Sequence, residues 1–499
     1  MSGPELITLG CRLNAAESEA MRGLAAGQDD LVIINSCAVT GEAVRQARKA
    51  VRAAAKRRPG ARIVVTGCAA QLDPAMFAVM PEVSAVVGNR EKREAASFNL
   101  PPFVPSEVEG QDADASPEAG PSTALGTNGL REGTSTPPTP FALSAVEVRD
   151  PGAAPVIRPS TALRTNGVWG SHEDGGVGAH KIRVSDILAA TDTAPHLAAG
   201  FGTRARAFVE VQTGCDHRCT FCIIPYARGP SRSVPAGGVI ERIRALVADG
   251  YREIVLTGVD TTSYGPDLPG HQSLGQLVER VLTLVPELPR LRLSSLDSIE
   301  IDDRLFALLT QEPRLQPHLH LSLQAGDDKV LKRMKRRHSR AQAVAMVERL
   351  KAARPEIAIG ADLIAGFPTE TEQQALNTLA LLDDCDIVLG HIFPYSVRAG
   401  TPAARMPQHD AATIRARAAR LRDAADARRA AWLSTLVGTT QSVLVERLDG
   451  RGHAGNYAPI RLASGAAPWG ATTNRVRRGD VVSMRVSHVE DGMLVGETR

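Results

Sequence analysis

Three of the seven cysteines lie in one short segment, GCDHRCTFC, at positions 215, 219 and 222. Structural zinc sites usually take four ligands, drawn from two separate elements. His217 would supply a fourth ligand here, so zinc stays an alternative, although four ligands in one short loop would be crowded. Three thiolates on a [4Fe–4S] cluster would instead leave one iron open to a small molecule.

Three further cysteines end three similar apolar runs near the N-terminus. The runs ELITLGC, DLVIINSC and ARIVVTGC end at Cys11, Cys37 and Cys68. Short β-rich runs that alternate with helical patterns predict a parallel sheet, with each cysteine at the carboxyl end of a strand. Ligands bind at that edge of open α/β sheets, so we expect the three thiols to converge there. The alternative is three buried cysteines that pack as small hydrophobic residues.

The elements that must position the segment at 215–222 form a second α/β pattern. Six β-rich runs, separated by helical patterns, lie between residues 207 and 395. They predict a partial (β/α)6 barrel of TIM type, whose active site lies at the carboxyl ends of the strands. The cysteine segment follows the first of these strands directly.

The C-terminal residues contain four short β-rich runs, TQSVLVERL, PIRLAS, VVSMRVSHV and GMLVGE. They predict a small antiparallel β-barrel of OB-like type. Arg475, Arg477 and Arg478 share the turn TTNRVRRGD, and Tyr457 and Trp469 lie near it in the sequence. Arginine with aromatic residues on a small barrel favours RNA binding through phosphate contacts and base stacking. A solvated basic face is the alternative.

Residues 100–181 are rich in Pro, Gly, Ser and Thr and contain the near-repeat PSTALGTNG and PSTALRTNG. This composition predicts a disordered insertion, because it buries too little apolar surface to offset chain entropy. We therefore expect three folded domains, an α/β domain at 1–99, the barrel with a helical connector at 182–437, and the small barrel at 438–499.

Composition and charge bound the class of protein. The formal net charge is only +3 and 43% of residues are hydrophobic, as in ordinary soluble domains. The N-terminus lacks the features of a signal peptide, and no stretch approaches the ~18 apolar residues of a membrane span. We expect a cytoplasmic protein without membrane contact, whose clustered cysteines indicate metal or redox chemistry rather than disulfides.

The spacing of Cys215, Cys219 and Cys222, with Phe221 before the last cysteine, resembles that of the radical S-adenosylmethionine enzymes. In that family the cysteines are catalytic, because they hold the [4Fe–4S] cluster whose open iron binds S-adenosylmethionine. Its reductive cleavage gives a 5′-deoxyadenosyl radical that abstracts hydrogen. The resemblance also implies cosubstrate contacts at later strand ends, where ordinary barrel packing is the alternative. The candidates are Thr257, Gly258, Ser294, Ser295, Gln324 and Asp362.

Most of the chain outside 100–181 resembles the methylthiotransferases within that superfamily. TLGCRLNAAESEAM, INSCAVT and VTGCAAQ resemble their N-terminal domain, in which such cysteines are the metal ligands of a second [4Fe–4S] cluster. The C-terminal barrel resembles the RNA-binding TRAM domain. The resemblance further implies two molecules of S-adenosylmethionine per turnover, an electron donor and a sulfur source. Cys385 matches no motif, and we expect it in a core.

The segments LTGVDTTSYG, LSSLDSIEI and LKRMKRRHSR most resemble one methylthiotransferase subfamily. It converts N6-threonylcarbamoyladenosine at position 37 of tRNA to the 2-methylthio derivative. The alternatives are the subfamilies that modify N6-isopentenyladenosine in tRNA or an aspartate of a ribosomal protein. Seven Lys and Arg residues between 329 and 340 favour a nucleic-acid substrate. A non-catalytic RNA-binding protein with structural metal sites is the alternative from another class.

Overall fold

The computed structural model describes residues 3–99, 179–191, 204–463 and 476–498. Of the segment 100–181, for which the sequence predicts a disordered insertion, all but the last three residues lie outside that description. None of the described helices is both long enough and apolar enough to cross a lipid bilayer.

The N-terminal sheet contains five parallel strands, β1 to β5, in sequence order. Their bounds are Glu5–Thr8, Leu31–Ser36, Arg62–Gly67, Ala85–Val87 and Ile182–Arg183. Its helices, α1 to α4, are Arg12–Leu24, Gly41–Arg57, Cys68–Leu72 and Pro74–Ala78. Strands β2 and β3 are buried along their whole length, as in parallel sheets covered on both faces. Strand β5 pairs with β4, so this sheet includes residues that the sequence assigned to the barrel domain.

The central domain is the predicted partial barrel. Its strands β6 to β13 are Ala207–Glu210, Gln212–Thr213, Arg232–Ser233, Glu253–Thr257, Arg290–Leu293, His318–Gln324, Ala358–Ala365 and Ile387–Pro394. Apart from the short antiparallel pair β7–β8, all pairs are parallel, in the orders β6–β9–β10 and β11–β12–β13. Parallel bridges at Leu291–Leu315 and Leu296–Leu321 join the two halves. The six-stranded α/β prediction is therefore confirmed.

Eight helices accompany these strands. Helices α5 to α12 are Ile224–Arg228, Ala236–Ala248, Leu274–Leu284, Asp303–Gln311, Asp328–Met334, Arg340–Ala353, Glu372–Asp384 and Ala411–Thr435. Three of them, α7, α10 and α11, begin at capping boxes, in which the side chains of the N-cap and N3 residues bond each other's backbone N–H. The pairs are Ser273 with Gln276, Ser339 with Gln342, and Thr371 with Gln374. These residues fix where each helix begins.

The C-terminal domain is a closed barrel of five strands, β14 to β18, in the order β14–β15–β16–β18–β17. The bounds are Thr440–Val445, Gly452–Ala454, Pro459–Leu462, Val481–Glu490 and Met493–Thr498. The predicted antiparallel pairing holds except between β16 and β18, which are parallel. A closed ring with an odd number of strands cannot alternate direction throughout, so one parallel pair is unavoidable. The sequence missed β15, a strand of three residues.

Candidate functional site

The three clustered cysteines of the barrel lie in the loop between β7 and α5. Gly214 begins this loop with a φ of +73°, and a Cβ atom there would lie 1.8 Å from the carbonyl oxygen of Pro230. Only glycine fits both the backbone and the space at this position. The Cys222 N–H donates to the Cys219 carbonyl at 3.1 Å, which folds the loop into a tight turn.

An acidic side chain from the next strand end faces this loop. Asp260 Oδ2 lies 3.6 Å from Cys215 Sγ and 2.9 Å from His217 Nε2. Burial would raise the pKa of Asp260, but the hydrogen bond from His217 holds it below its usual range. The pair therefore places a carboxylate beside one cysteine and uses His217 as its partner. Sequence reasoning considered His217 only as a zinc ligand and missed Asp260.

Arg336 brings a positive charge to the second cysteine of the loop. Its Nη1 lies 3.7 Å from Cys219 Sγ, and its Nη2 donates to Asp297 Oδ2 at 2.8 Å and to the Ser322 carbonyl at 2.7 Å. The residue belongs to the basic run at 329–340, whose charge favours a nucleic-acid substrate in the sequence analysis. Arg336 instead points into the barrel, whereas Lys329, Lys332 and Lys335 of the same run are exposed.

The three cysteines of the N-terminal domain lie at one edge of its sheet, as the strand pattern predicts. Cys37 and Cys68 directly follow β2 and β3, and Cys11 follows β1 after a two-residue turn. A Cβ atom on Gly10 would lie 2.7 Å from Cys37 Cβ, so glycine is needed where the turn passes this cysteine. Burial raises the pKa of Cys11, and it raises that of Cys37 to about 11.

A buried ionic cluster joins this edge to the barrel. Arg228, at the end of α5, donates from Nε to Cys68 Sγ at 3.3 Å, and from Nη2 to Asn14 Oδ1 at 2.7 Å. Its Nη1 contacts Glu17 Oε1 at 2.5 Å, and Lys92 Nζ lies 2.7 Å from Glu17 Oε2. Burial would lower the pKa of Arg228, but Cys68 and Glu17 raise it well above its ordinary value. Arg228 is therefore a permanent cation beside a cysteine 160 residues away.

The width of the cysteine groups bears on which metal they fit. Among the described residues, two groups of at least three His, Cys, Asp or Glu side chains have all their ligand atoms within 4.8 Å of one another. They are His320–Asp362–His391 and His217–Asp260–Glu300. Neither group of three cysteines is that compact. A tetrahedral zinc site with bonds of about 2.3 Å would hold its sulfurs about 3.8 Å apart. The cysteine groups therefore fit a multi-iron cluster better than a single zinc ion.

Four predicted cosubstrate residues lie at the ends of β9 and β10. Thr257 is buried, and its carbonyl accepts the Val211 N–H at 2.9 Å. A Cβ atom on Gly258 would lie 2.8 Å from the Gln212 carbonyl oxygen. Ser294 shares a hydrogen bond with Thr261, whereas Ser295 is only partly buried. These residues lie around the same end of the barrel as the cysteine loop, and Ser295 has the more accessible side chain.

The other two predicted residues differ in position. Gln324 ends β11 with a φ of +69° and is partly buried. Asp362 lies in the middle of β12, where its Oδ1 is 3.0 Å from His320 Nε2 and 3.3 Å from His391 Nδ1. These two imidazoles lower the pKa of Asp362, although its burial opposes the shift. Asp362 is therefore a lumen residue with two histidine partners rather than a strand-end residue.

The predicted RNA face of the C-terminal barrel is only partly described. Arg477 and Arg478 are exposed in the turn before β17, and Arg475 and Trp469 lie outside the described residues. Tyr457 does not belong to an outer aromatic face. Its ring stacks on His318 at 4.8 Å, at the junction with the central barrel. Cys385, in contrast, is fully buried in the central core, as expected.

The partial barrel and its cysteine loop define a radical S-adenosylmethionine enzyme. The family model described as "Radical SAM superfamily" matches residues 209–382. Enzymes of this superfamily use S-adenosylmethionine and a [4Fe–4S] cluster. A second model, described as "Uncharacterized protein family UPF0004", matches residues 5–88, which hold the other three cysteines.

Similar proteins narrow this class further. The threonylcarbamoyladenosine tRNA methylthiotransferase MtaB of Rickettsia prowazekii (strain Madrid E) is 39% identical over 460 residues, 92% of this chain and 91% of that protein. MtaB of Bacillus subtilis (strain 168) is 31% identical, covering 80% of this chain and 74% of that protein. The tRNA-2-methylthio-N(6)-dimethylallyladenosine synthase of Maricaulis maris (strain MCS10) is 40% identical, but over 48% of this chain and 54% of that protein. The chain belongs to the threonylcarbamoyladenosine tRNA methylthiotransferase family.

Proposed function

We propose that the chain converts N6-threonylcarbamoyladenosine at position 37 of tRNA to its 2-methylthio derivative. The observation that carries this proposal is the proximity of the two cysteine groups. Arg228 follows Cys222 by six residues, and its Nε lies 3.3 Å from Cys68 Sγ. Sulfur insertion needs this arrangement, because hydrogen removal and sulfur delivery must reach the same carbon atom.

The two cysteine groups take separate roles in this proposal. Cys215, Cys219 and Cys222 hold the cluster that cleaves S-adenosylmethionine, and the N-terminal cysteines hold a second [4Fe–4S] cluster for sulfur. When bound, the first cluster supplies the reductive cleavage whose radical product removes hydrogen from adenine C2, a carbon without an acidic proton or a leaving group. Asp260 and Arg336 position the loop around this cluster.

Arg228, Glu17 and Lys92 support the second cluster. A [4Fe–4S] cluster in its usual oxidised state carries two positive charges, so three thiolate ligands leave it with a net negative charge. The Arg228 guanidinium beside Cys68 offsets that charge in a region without solvent. Charges and hydrogen bonds at the ligand sulfurs are among the factors that set the potential of such clusters.

Cosubstrate and RNA contacts complete the proposal. Gly258, Ser295 and Gln324 are partly buried at these strand ends, whereas Thr257 and Ser294 are buried. We assign S-adenosylmethionine to this end of the barrel. The C-terminal barrel binds tRNA through Arg475, Arg477 and Arg478. The reaction also needs an electron donor and a sulfur source, and reduced thiols with a tRNA substrate fit a cytoplasmic location.

The same proposal fixes the domain roles. The segment 1–99, with β5, is the sulfur-cluster domain, 182–437 is the radical domain with its connector, and 438–499 is a TRAM-type RNA-binding domain. Similarity over nearly the whole chain to methylthiotransferases named for threonylcarbamoyladenosine supports this substrate over isopentenyladenosine or a ribosomal aspartate.

Mass spectrometry of tRNA nucleosides tests the substrate. A strain without this gene should accumulate threonylcarbamoyladenosine and lack its 2-methylthio derivative, and restoring the gene should restore the product. A change confined to isopentenyladenosine, or to a ribosomal protein, would transfer the assignment to that subfamily. Protein that contains zinc or no metal, when purified without oxygen, would instead support a non-catalytic RNA-binding protein.

Two single substitutions test the division of labour. Cys219→Ala should abolish cleavage of S-adenosylmethionine, whereas Cys37→Ala should retain part of that cleavage but lose sulfur insertion. Cys385→Ala is the matched control, because Cys385 lies in the core and touches neither group. If both cluster variants are folded and lose cleavage equally, the two groups do not have separate roles.

A further inference from the structure

The solvent face of α2 carries a row of basic side chains. We call five residues the basic row: Arg45, Arg48, Lys49, Arg52 and Lys56. At 3.6 residues per turn these positions fall within a stripe about 100° wide. Ala47, Val51 and Ala54 lie on the opposite side of the helix and are buried. The row therefore faces solvent along nearly the whole helix.

Most of the basic side chains in the row form no salt bridge with a carboxylate of the described residues. Arg45 pairs with Glu42 at 2.5 Å. The other four side chains are exposed, and no carboxylate in the described part of the chain forms a salt bridge with them. Four cations remain on one stripe of a helix in a chain whose formal net charge is only +3. Such a stripe attracts a polyanion.

The basic row begins beside the candidate site. Helix α2 starts four residues after Cys37. The Gly41 N–H donates to Ser396 Oγ at 3.2 Å, and Arg398 Nε donates to the Val39 carbonyl at 3.3 Å. One end of the row therefore lies at the edge formed by residues 37–41 and 396–398, next to a cysteine of the site.

Two large apolar side chains are exposed at that same edge. Val39 is 50% exposed and Val397 is 53% exposed. The Arg398 bond to Val39 brings the two loops together there. Proteins bind RNA loops by contacts to unstacked bases together with contacts to the flanking phosphates. An apolar edge that continues into a row of cations fits both parts of such a ligand.

We propose that the basic row binds the sugar–phosphate backbone of the RNA substrate, while Val39 and Val397 contact a base of its loop beside the reacting nucleotide. The inference rests on the proposed function and adds a second RNA contact to that of the C-terminal barrel. From Arg45 to Lys56 the row spans about 16 Å, enough to follow several phosphates. The phosphates on the row hold the reacting nucleotide at the cysteine edge.

The test removes four charges from the basic row and leaves the helix intact. The variant carries Arg48→Gln, Lys49→Gln, Arg52→Gln and Lys56→Gln, because glutamine is polar and uncharged and has a helix propensity close to that of arginine and lysine. The control variant replaces four exposed arginines on the outside of the barrel domain by glutamine: Arg244, Arg252, Arg280 and Arg349. The probe is tRNA purified from a strain without this gene, titrated at several salt concentrations.

The basic-row variant should bind this tRNA at least about tenfold more weakly at 0.15 M salt. Each phosphate that the variant no longer binds should reduce the log–log salt slope by ~0.7 to ~0.9. The control variant should bind within about twofold of the wild type. A variant that carries only Arg48→Lys and Arg52→Lys should retain most of the wild-type affinity, since phosphate contacts need charge. Iron content and cleavage of S-adenosylmethionine without tRNA should be unchanged throughout.

Two results would overturn the inference while leaving the proposed function intact. One is wild-type affinity and salt slope in the basic-row variant. The other is an equal loss in the control variant, which would indicate a general charge effect. If the wild-type protein itself binds no tRNA, the proposed function falls, and this inference falls with it.

Discussion

Glu253 forms ion pairs with three arginines at the junction between the two barrels. Its loss should therefore lower the stability of the folded protein. The carboxylate is completely buried. Arg290 Nε donates to it at 2.8 Å, and the Nε atoms of Arg292 and Arg206 lie 2.9 Å and 3.1 Å from it. Without this carboxylate, the three guanidinium groups would face one another in a region without solvent.

The same arginines connect the central barrel to the C-terminal barrel. Arg292 donates to the carbonyl oxygens of Gly455 and Ala454 at 2.7 Å and 2.8 Å. Arg290 donates to the carbonyl of Ser442 at 3.1 Å. Repulsion among the arginines should therefore loosen the attachment of the C-terminal barrel as well.

The pKa of Glu253 gives the size of the effect. Burial alone would raise this pKa, but Arg292, Arg206 and Arg290 lower it from 4.5 to about 2. A pKa lowered by about 2.5 corresponds to ~3 kcal/mol of stability at neutral pH. Because the folded-state pKa is the lower one, this stability is present above about pH 4.5 and is lost as the pH falls toward 2. Glu253→Gln should cost about 3 kcal/mol at pH 7, within the range for breaking a buried ion pair.

Urea unfolding followed by circular dichroism measures this difference. The wild type and the Glu253→Gln variant are both measured without iron, because acid protonates the thiolates that metal binding needs. The gap between wild type and Glu253→Gln should shrink to roughly half near pH 3. Glu279→Gln, which removes a carboxylate from an exposed pair with Arg304, should cost less than ~1 kcal/mol. Equal stability of wild type and Glu253→Gln at pH 7 would refute the reasoning.

Three other substitutions test the site and its supports. Glu17→Gln should destabilise the protein by ~3 to ~5 kcal/mol in urea unfolding, because Arg228 and Lys92 lose a shared buried carboxylate. Glu42→Gln, at an exposed position, is the control and should cause no measurable change in stability. Gly214→Ala should remove iron from the barrel cluster alone, since the new Cβ would overlap the Pro230 carbonyl oxygen. Gly237→Ala is the control and should retain full iron, because its Cβ would meet no atom within 4 Å. Equal iron content in the two variants would contradict this account. Replacing Arg475, Arg477 and Arg478 together by alanine should weaken tRNA binding. It should also reduce the slope of log affinity against log salt concentration by up to about one unit for each phosphate that is no longer bound. An unchanged slope would exclude this turn from the RNA interface.

The cysteine positions were readable from the sequence because local signals determine them. Each of the first three strands of the N-terminal sheet is a short apolar run, and a cysteine follows it within a few residues. Parallel pairing of consecutive strands then brings the carboxyl ends to one edge without any knowledge of side-chain contacts. The six central strands and the close spacing of Cys215, Cys219 and Cys222 were predictable for the same reason.

Elements of two or three residues gave too little signal. Ile182–Arg183 becomes a strand only because β4 offers it a partner across an insertion of about 80 residues. Gly452–Ala454 likewise becomes a strand only within the closed C-terminal barrel. Neither segment has enough alternating residues for a periodicity to be recognised.

Only the tertiary structure decided how the charged residues are used. Nothing in the sequence around Arg228 and Arg336 distinguishes them from an exposed arginine such as Arg48. In the structure, however, both side chains point inward and contact cysteine sulfurs. Asp362 became a partner of His320 and His391 because three neighbouring strands place these side chains in one lumen. Spacing along the chain determines which residues share a strand end or a helix face. Whether a charge is buried or left to a ligand depends on partners often more than a hundred residues away, and these meet only when the domains pack.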